Sequence, residues 1–307
     1  MPASEAPDSA TPAPGPSRFQ ERCLSLFFVI ARKTPWALRL TRPLWVAGAW
    51  AAAPSMRAAV RDNLRRILGS STPGAHINRT GRKVVASFYD FVCEVGAHHR
   101  ASLDELIARI DGIDGAEAFL AAREAKRGAV LVTAHFGNFE VGLAAMREKE
   151  DRVHVVFQRD RMGAFERIRS GLHRQLGIVE TPIDDGMASW LALRDALSDD
   201  GVVMLQGDRV MPGQRGLAVP FFDGQLELPV GPAKLALMTG APLIPVFAIR
   251  LGGGRVRIRL GEPIDVPDQD AVEPALRRVA AAIQDVVAQH PEQWHVLHHA
   301  FVQGDPP

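Results

Sequence analysis

Ala129-Val-Leu-Val-Thr-Ala-His135-Phe-Gly-Asn138-Phe-Glu140 decides how this chain folds. Its first six residues carry no charge and no strong polar group, the composition of a strand buried on both faces. Gly137 then permits a tight turn, and Asn138 is a good helix N-cap. Phe139–Lys149 continues at helical spacing. A buried strand that turns straight into a helix is the unit from which parallel sheets are built.

The same texture extends in both directions. Val153–Phe157, Gly201–Leu205 and Leu243–Ile249 read as buried strands, and Val256–Leu260 alternates like a half-exposed one. Between them Ala164–Leu176, Met187–Leu197 and Pro232–Thr239 read as helices, and Gly252-Gly253-Gly254 suits a hairpin between the last two strands. The alternation predicts an α/β fold with a mostly parallel central sheet flanked by helices, starting near Ile107. Upstream, Ala58–Leu68 is a helix closing on Gly69, Ile77–Val95 is a second, and Ser102-Leu-Asp-Glu105 is a capping box opening a third. Residues 1–17 hold five prolines and are expected to be disordered. The chain thus divides into a tail over 1–17, helices over 18–69, and an α/β domain over 70–307.

Charge is distributed unevenly. The chain is net +1 over 307 residues, yet Arg18 to Arg66 carries ten Lys/Arg against two acids, and the remainder from Ile67 onward is net −5. The same block holds two uncharged runs, Cys23–Ala31 and Leu44–Met56, with Trp36, Trp45 and Trp50 nearby or inside. Neither run reaches the ~20 residues of a spanning helix, and no secretory signal is legible. The combination reads as helices lying in a membrane interface, against the plainer alternative of a helical subdomain packed on the core. Two cysteines, Cys23 and Cys93, fit neither a zinc site nor a disulfide framework, and point to a reduced, cytosol-facing environment.

The chemistry concentrates where strands end, the edge at which open α/β sheets bind ligands. His135 leaves the first strand, and Glu140 falls in the first turn of the next helix, placed to fold back onto the imidazole. A carboxylate on one ring nitrogen fixes the tautomer and frees the other nitrogen to accept a proton. Arg159 follows the second strand and suits a phosphate or an acceptor oxygen, or is an ordinary surface arginine. Asp208-Arg209 ends another strand; Asp208 suits an acceptor hydroxyl or an internal ion pair with Arg209. Phe221-Phe222 suits an acyl chain or membrane, or anchors its loop in the core. His295, His298 and His299 have a spacing that permits a metal-binding face but lack a His-Glu-x-x-His pattern, so no metal is expected. Phosphate-cradling Gly loops and a Gly-x-Ser-x-Gly nucleophile elbow are missing too, which disfavours nucleotide chemistry and a covalent acyl-enzyme.

Val132-Thr-Ala-His135-Phe-Gly-Asn-Phe-Glu140 resembles the histidine–four residues–acid motif of glycerolipid acyltransferases. More closely, the chain resembles the lipid A biosynthesis (lauroyl/myristoyl-type) acyltransferases, a family that includes phosphatidylinositol mannoside acyltransferases. The resemblance runs over about 20–302, through Arg61-Asp-Asn-Leu64, Val156-Phe-Gln-Arg159, Leu205-Gln-Gly-Asp208-Arg209, Val219-Pro-Phe-Phe-Asp-Gly224, Gly231-Pro-Ala-Lys-Leu-Ala236, Thr239–Phe247 and Pro291-Glu-Gln-Trp294 with His298 and Phe301. It implies transfer of a fatty acyl chain from acyl carrier protein or acyl-CoA to a hydroxyl of a membrane glycolipid or phospholipid. No cofactor is implied beyond the donor thioester. His135 and Glu140 would be catalytic, and Asn138, Arg159, Asp208, Arg209, Phe221 and Phe222 would line the substrates. The expected location is the cytoplasmic face of the inner membrane. A non-catalytic peripheral protein binding anionic lipid is the rival reading.

Overall fold

A computed structural model of the protein describes residues 17–159 and 163–302. The tail expected over 1–17 lies, except for Ser17, outside the described residues. Ser17 is an N-cap: its side chain accepts the Gln20 N–H, and Gln20 returns the bond to the Ser17 N–H.

Four helices come first: α1 (Arg18–Lys33), α2 (Pro35–Ala52), α3 (Pro54–Leu68) and α4 (Gly74–His98). Then follow α5 (Leu103–Ile107), β1 (Ile110–Asp114), α6 (Ala116–Glu124), β2 (Ala129–Thr133), α7 (Phe139–Lys149), β3 (Val153–Phe157), α8 (Gly163–Gln175), β4 (Val179–Pro182) and α9 (Met187–Ser198). The chain continues through β5 (Val202–Gln206), β6 (Gly216–Pro220), β7 (Gln225–Pro229), α10 (Gly231–Thr239), β8 (Leu243–Arg250), β9 (Val256–Leu260) and α11 (Val272–Gln289).

Seven strands form one sheet in the order β1-β9-β8-β2-β5-β3-β4. Every pairing is parallel except β8 with β9, which the three glycines turn into a hairpin. The expected α/β class and mostly parallel sheet are what the structure shows. β1, β4, the separate β6–β7 hairpin and α11 add to the expected elements. β1 (Ile-Asp-Gly-Ile-Asp) and β4 (Val-Glu-Thr-Pro) sit at the two edges of the sheet, are short and carry acids, and so lack the apolar signal of central strands.

The central strands are buried on both faces, and successive residues feed opposite cores. Val130, Val132, Val203 and Leu205 join one cluster with α9, α10 and α11; Ala129, Leu131, Val202 and Met204 join the other with α7 and α8. A third cluster unites Val46, Trp50, Val60 and Leu64 with Ile77, Val84 and Val85 of α4. Gly81 leaves room there for the Trp50 ring, and Gly96 does the same for Phe28. α1–α3 therefore share buried surface with α4. Among the described residues no helix is long and apolar enough to cross a membrane.

Gly137 fixes the turn between β2 and α7. Its φ is +59°, and a Cβ there would run into the Ala248 carbonyl of β8. Gly240, at φ +71°, faces open space. Gly137→Ala should therefore destabilise by well over the ~1–2 kcal/mol of left-handed strain alone, and Gly240→Ala by about that strain. Urea unfolding of the two variants checks this; equal losses would show that the approach to Ala248 does not constrain the turn.

Candidate active site

His135 stands two residues beyond the end of β2, and Asp208 two residues beyond the end of β5. The strands are parallel neighbours with Thr133 opposite Gln206, and the Gly207 N–H donates to the Thr133 carbonyl at 2.7 Å. Register alone thus brings the two side chains together. His135 Nδ1 lies 2.7 Å from Asp208 Oδ1, and the His135 backbone N–H donates to Oδ2 at 3.0 Å. Trp294 Nε1 donates to the same Oδ2 at 2.9 Å.

Trp294 reaches the site because the C-terminal segment runs against the His135 turn. Phe136 and Trp294 form an antiparallel bridge, and the His295 N–H donates to the His135 carbonyl at 2.7 Å. The Asp208 side chain is fully buried, whereas that of His135 is 36% exposed. Burial alone would raise the Asp208 carboxyl, but the His135 charge and the bonds from His135 and Trp294 outweigh it and hold it below the usual carboxylate range. A buried carboxylate kept ionised on Nδ1 of a partly exposed histidine leaves Nε2 outside that bond, an arrangement able to act as a general base.

Glu140 does not fold back onto His135. It is buried, and its Oε2 lies 2.8 Å from Nε2 of His173 on α8. Nδ1 of His173 lies 2.6 Å from Glu180 of β4, and Glu180 also accepts from Ser170. Burial alone would lower the His173 pKa, but the two flanking carboxylates raise it from 6.5 to about 9. The first turn of α7 points Glu140 into the layer between α7, α8 and β4, away from the ring that Asp208 occupies.

The other expected residues separate. Asn138 caps α7, its Oδ1 accepting the Val141 N–H, while Nδ2 donates to Glu94 Oε2 at 2.6 Å. Glu94 also pairs with Arg250 at 2.8 Å; burial raises the Glu94 carboxyl, with Arg250 opposing, and burial likewise lowers the Arg250 guanidinium. Arg159 is half-exposed and its fork is taken by Asp185 in two bonds of 2.7 and 3.0 Å. Arg209 is exposed, and the Asp208 carboxylate is engaged by His135 and Trp294 instead of forming the ion pair Arg209 offered. Phe221 is fully buried against Phe222, Trp294 and Phe301, so it anchors its loop in the core; Phe222 is half-buried, with its N–H bonded to Gln284. His298 and His299 meet α3: the His298 carbonyl accepts from Asn63, and His299 Nδ1 lies 3.4 Å from Asp62.

Residues to which the sequence assigns no role beside His135 complete the site. His295 Nε2 lies 2.9 Å from Ser87 of α4, and its ring packs on Phe88 and Phe91, which meets Phe165 in turn. Burial first, then Arg250 and His135, push the His295 pKa down to about 3, so its ring is neutral beside an aromatic wall. Trp294, His295, Glu94 and Arg250 come from the C-terminal segment, α4 and β8, and only the fold assembles them.

Residues 24–303 match the family model described as bacterial lipid A biosynthesis acyltransferase. The chain is 28% identical over 243 residues to a phosphatidylinositol mannoside acyltransferase of Mycobacterium tuberculosis, covering 78% of this chain and 75% of that protein. It is similarly 28% identical over 240 residues to a phosphatidylinositol mannoside acyltransferase of Mycolicibacterium smegmatis, covering 78% and 77%.

The buried imidazolium makes a pH prediction. Its pKa is higher folded, about 9, than the ordinary 6.5, so its contribution is full below pH 6.5 and is lost as pH rises through 9. The pKa difference corresponds to roughly 3 kcal/mol as an upper figure. Urea unfolding free energies of the wild type should fall by on the order of 2 kcal/mol across that window, and His173→Gln should lack the slope. The same slope in the variant would show that another group carries it.

Proposed function

The chain belongs to the bacterial lipid A biosynthesis acyltransferase family and is a lipid acyltransferase, and from that premise we propose that His135 is its general base and Asp208 the partner of that base. The observation that carries this reading is the 2.7 Å bond from His135 Nδ1 to the fully buried Asp208. Asp208 keeps the proton on Nδ1 and leaves Nε2 to take one from the acceptor hydroxyl. As that proton leaves, the oxygen attacks the thioester carbonyl and the C–O bond forms. The C–S bond then breaks, and the imidazolium returns its proton to the departing thiolate. Asp208 stabilises the imidazolium between these two events. No covalent acyl-enzyme is required. Arg159, held by Asp185, takes no part in this step, and Glu140 acts by tying α7 to His173.

The donor in this reading is a fatty acyl thioester of acyl carrier protein or coenzyme A. The acceptor is a hydroxyl of a membrane glycolipid, a reading supported by the relatives' being named for phosphatidylinositol mannoside. Phe88 and Phe91, packed on the neutral His295 ring next to His135, with Phe165 behind Phe91, supply an apolar wall for the acyl chain. Purified protein with a radiolabelled acyl donor and glycolipid acceptor tests the reading. His135→Ala should lower kcat by 10²-fold or more. Asp208→Asn, which can present the wrong hydrogen-bonding edge to the ring, should lower it comparably with KM nearly unchanged. Wild-type turnover in either folded variant would overturn the assignment.

The enzyme reaches its acceptor, in the same reading, by lying on the cytoplasmic face of the membrane. Trp36, Leu40 and Leu44 are spaced by four along α2 and are exposed, with Trp45 beside them and Phe19, Leu26 and Val29 exposed on α1. From Pro43 to Met56 no residue is charged. Such a face on a helix shorter than a membrane span suits the interface. The triple variant Trp36→Ser, Leu40→Ser, Leu44→Ser should lose most of its flotation with phosphatidylcholine/phosphatidylglycerol vesicles, including at high salt, where the Coulombic part is screened. Unchanged flotation would remove α2 from the interface.

A further inference from the structure

A groove of about 310 Å³ runs along α3 and is lined by Pro54, Arg57, Ala58, Arg61 and Arg65. The three arginines are spaced by four, so they share one helix face, an arrangement in which like charges repel. No carboxylate among the described residues compensates them. Asp62, the acid within this run, is taken by Arg66 and His299. Arg57 Nη1 donates to the Trp50 and Ala51 carbonyls, which are neutral acceptors. Nε of Arg61 is buried and has no hydrogen-bond partner. Three guanidinium groups gathered without a counter-charge, one with an unmade buried bond, form a concave site for an anion.

We propose that this groove binds the phosphate of an anionic phospholipid and so fixes how the enzyme sits on the membrane. The inference rests on the membrane-interface reading above and adds a defined site to it. Position identifies the source of the phosphate. The groove opens at the C-terminal end of the helix that carries the apolar stripe, since Arg57 is bonded to the carbonyls of the last turn of α2. In that reading Trp36, Leu40 and Leu44 lie in the acyl boundary, and the guanidinium groups along the successive turns of α3 extend to the phosphates. Charge agrees with this placement. From Ile67 onward the chain is net −5 and is repelled by an anionic surface, so attraction must come from the N-terminal block. The rest of α3 is committed elsewhere, with Val60 and Leu64 on the flanking face in the core and Asn63, on the far side, bonded to the His298 carbonyl and the Ala300 N–H. An α3 held on phosphate at one face therefore presents the C-terminal segment beside His135 from the other.

Flotation of the full chain with vesicles of phosphatidylcholine alone, and with 30% (about one lipid in three) phosphatidylglycerol, tests the proposal. R57Q/R61Q/R65Q should lower binding to the anionic vesicles by on the order of 10²-fold and leave the weaker binding to phosphatidylcholine unchanged. R194Q/R277Q/R278Q removes the same charge from distant helices and should lower it only slightly. Equal loss in the two triple variants would overturn the proposal in favour of diffuse attraction. Wild-type flotation of R57Q/R61Q/R65Q, with α2 variants released, would overturn the groove and keep the interface reading; wild type that binds no vesicle overturns both. A variant that floats normally but has a raised KM for acyl-CoA would assign the groove to the donor's phosphates and likewise overturn the proposal.

Discussion

The carboxylate of Asp208 is the constraint around which the site is built. An ionised carboxylate removed from water is destabilising by several kcal/mol unless hydrogen bonds replace its hydration. Here the replacement comes from three donors on two distant segments, the Nδ1–H and backbone N–H of His135 and the Nε1–H of Trp294. The first two exist because β2 and β5 are parallel neighbours in register, so that positions two past each strand end coincide. The third exists because the C-terminal segment pairs with Phe136 and His135. Fold and candidate chemistry are thus coupled: slipping the register would strand a buried charge and, in the same movement, release the histidine.

Two further buried ionic clusters hold the elements that aim His135. Glu140, His173 and Glu180 tie the start of α7 to α8 and β4, and Glu94 ties α4 to the cap of α7 and to Arg250 on β8. Removing one member would leave its partner charged and dry, which is more damaging than replacing the whole cluster by apolar groups. Their value is therefore positional. They fix the turn containing Gly137 from both sides, and that turn sets the direction of the His135 ring.

How much was legible in the sequence follows from which signals are local. The central strands and the helices between them were readable because a doubly buried strand must be apolar throughout, and a helix must repeat near every fourth residue. His135 was readable as the residue leaving such a strand. Its partner was not, because spacing along the chain favoured Glu140 while proximity across the sheet favoured Asp208. Asp208 was legible only as a polar residue at a strand end, with acceptor binding and an ion pair to Arg209 both open; neither anticipated the bond to His135. Knowing that β2 pairs β5 would have sufficed to place it. Trp294 stood out only as part of a C-terminal motif and His295 only as one of three clustered histidines; neither could be placed beside His135, since their approach depends on a C-terminal segment that pairs with the His135 turn. Edge strands β1 and β4 were silent because edges are kept short and polar.

α4 is the element through which the N-terminal helices and the site bear on each other. On one side it receives Trp50 at Gly81 and Phe28 at Gly96, and it pairs Asp90 with Arg42 of α2. On the other it presents Ser87 to His295 and Glu94 to Asn138. A single helix so occupied cannot shift on one side without moving the other, because close-packed interfaces transmit displacement and do not absorb it. In the proposed orientation, α2 lies in the interface and α3 on its phosphates, and α4 then carries that orientation to the two residues that flank the His135 turn. A lipid acceptor is confined to the membrane plane, so in the proposed reading holding His135 at a fixed depth removes freedom that the reaction would otherwise have to restrict. The exposed apolar helices and the buried polar site are in this sense two ends of one positioning device, joined by the packing of α4.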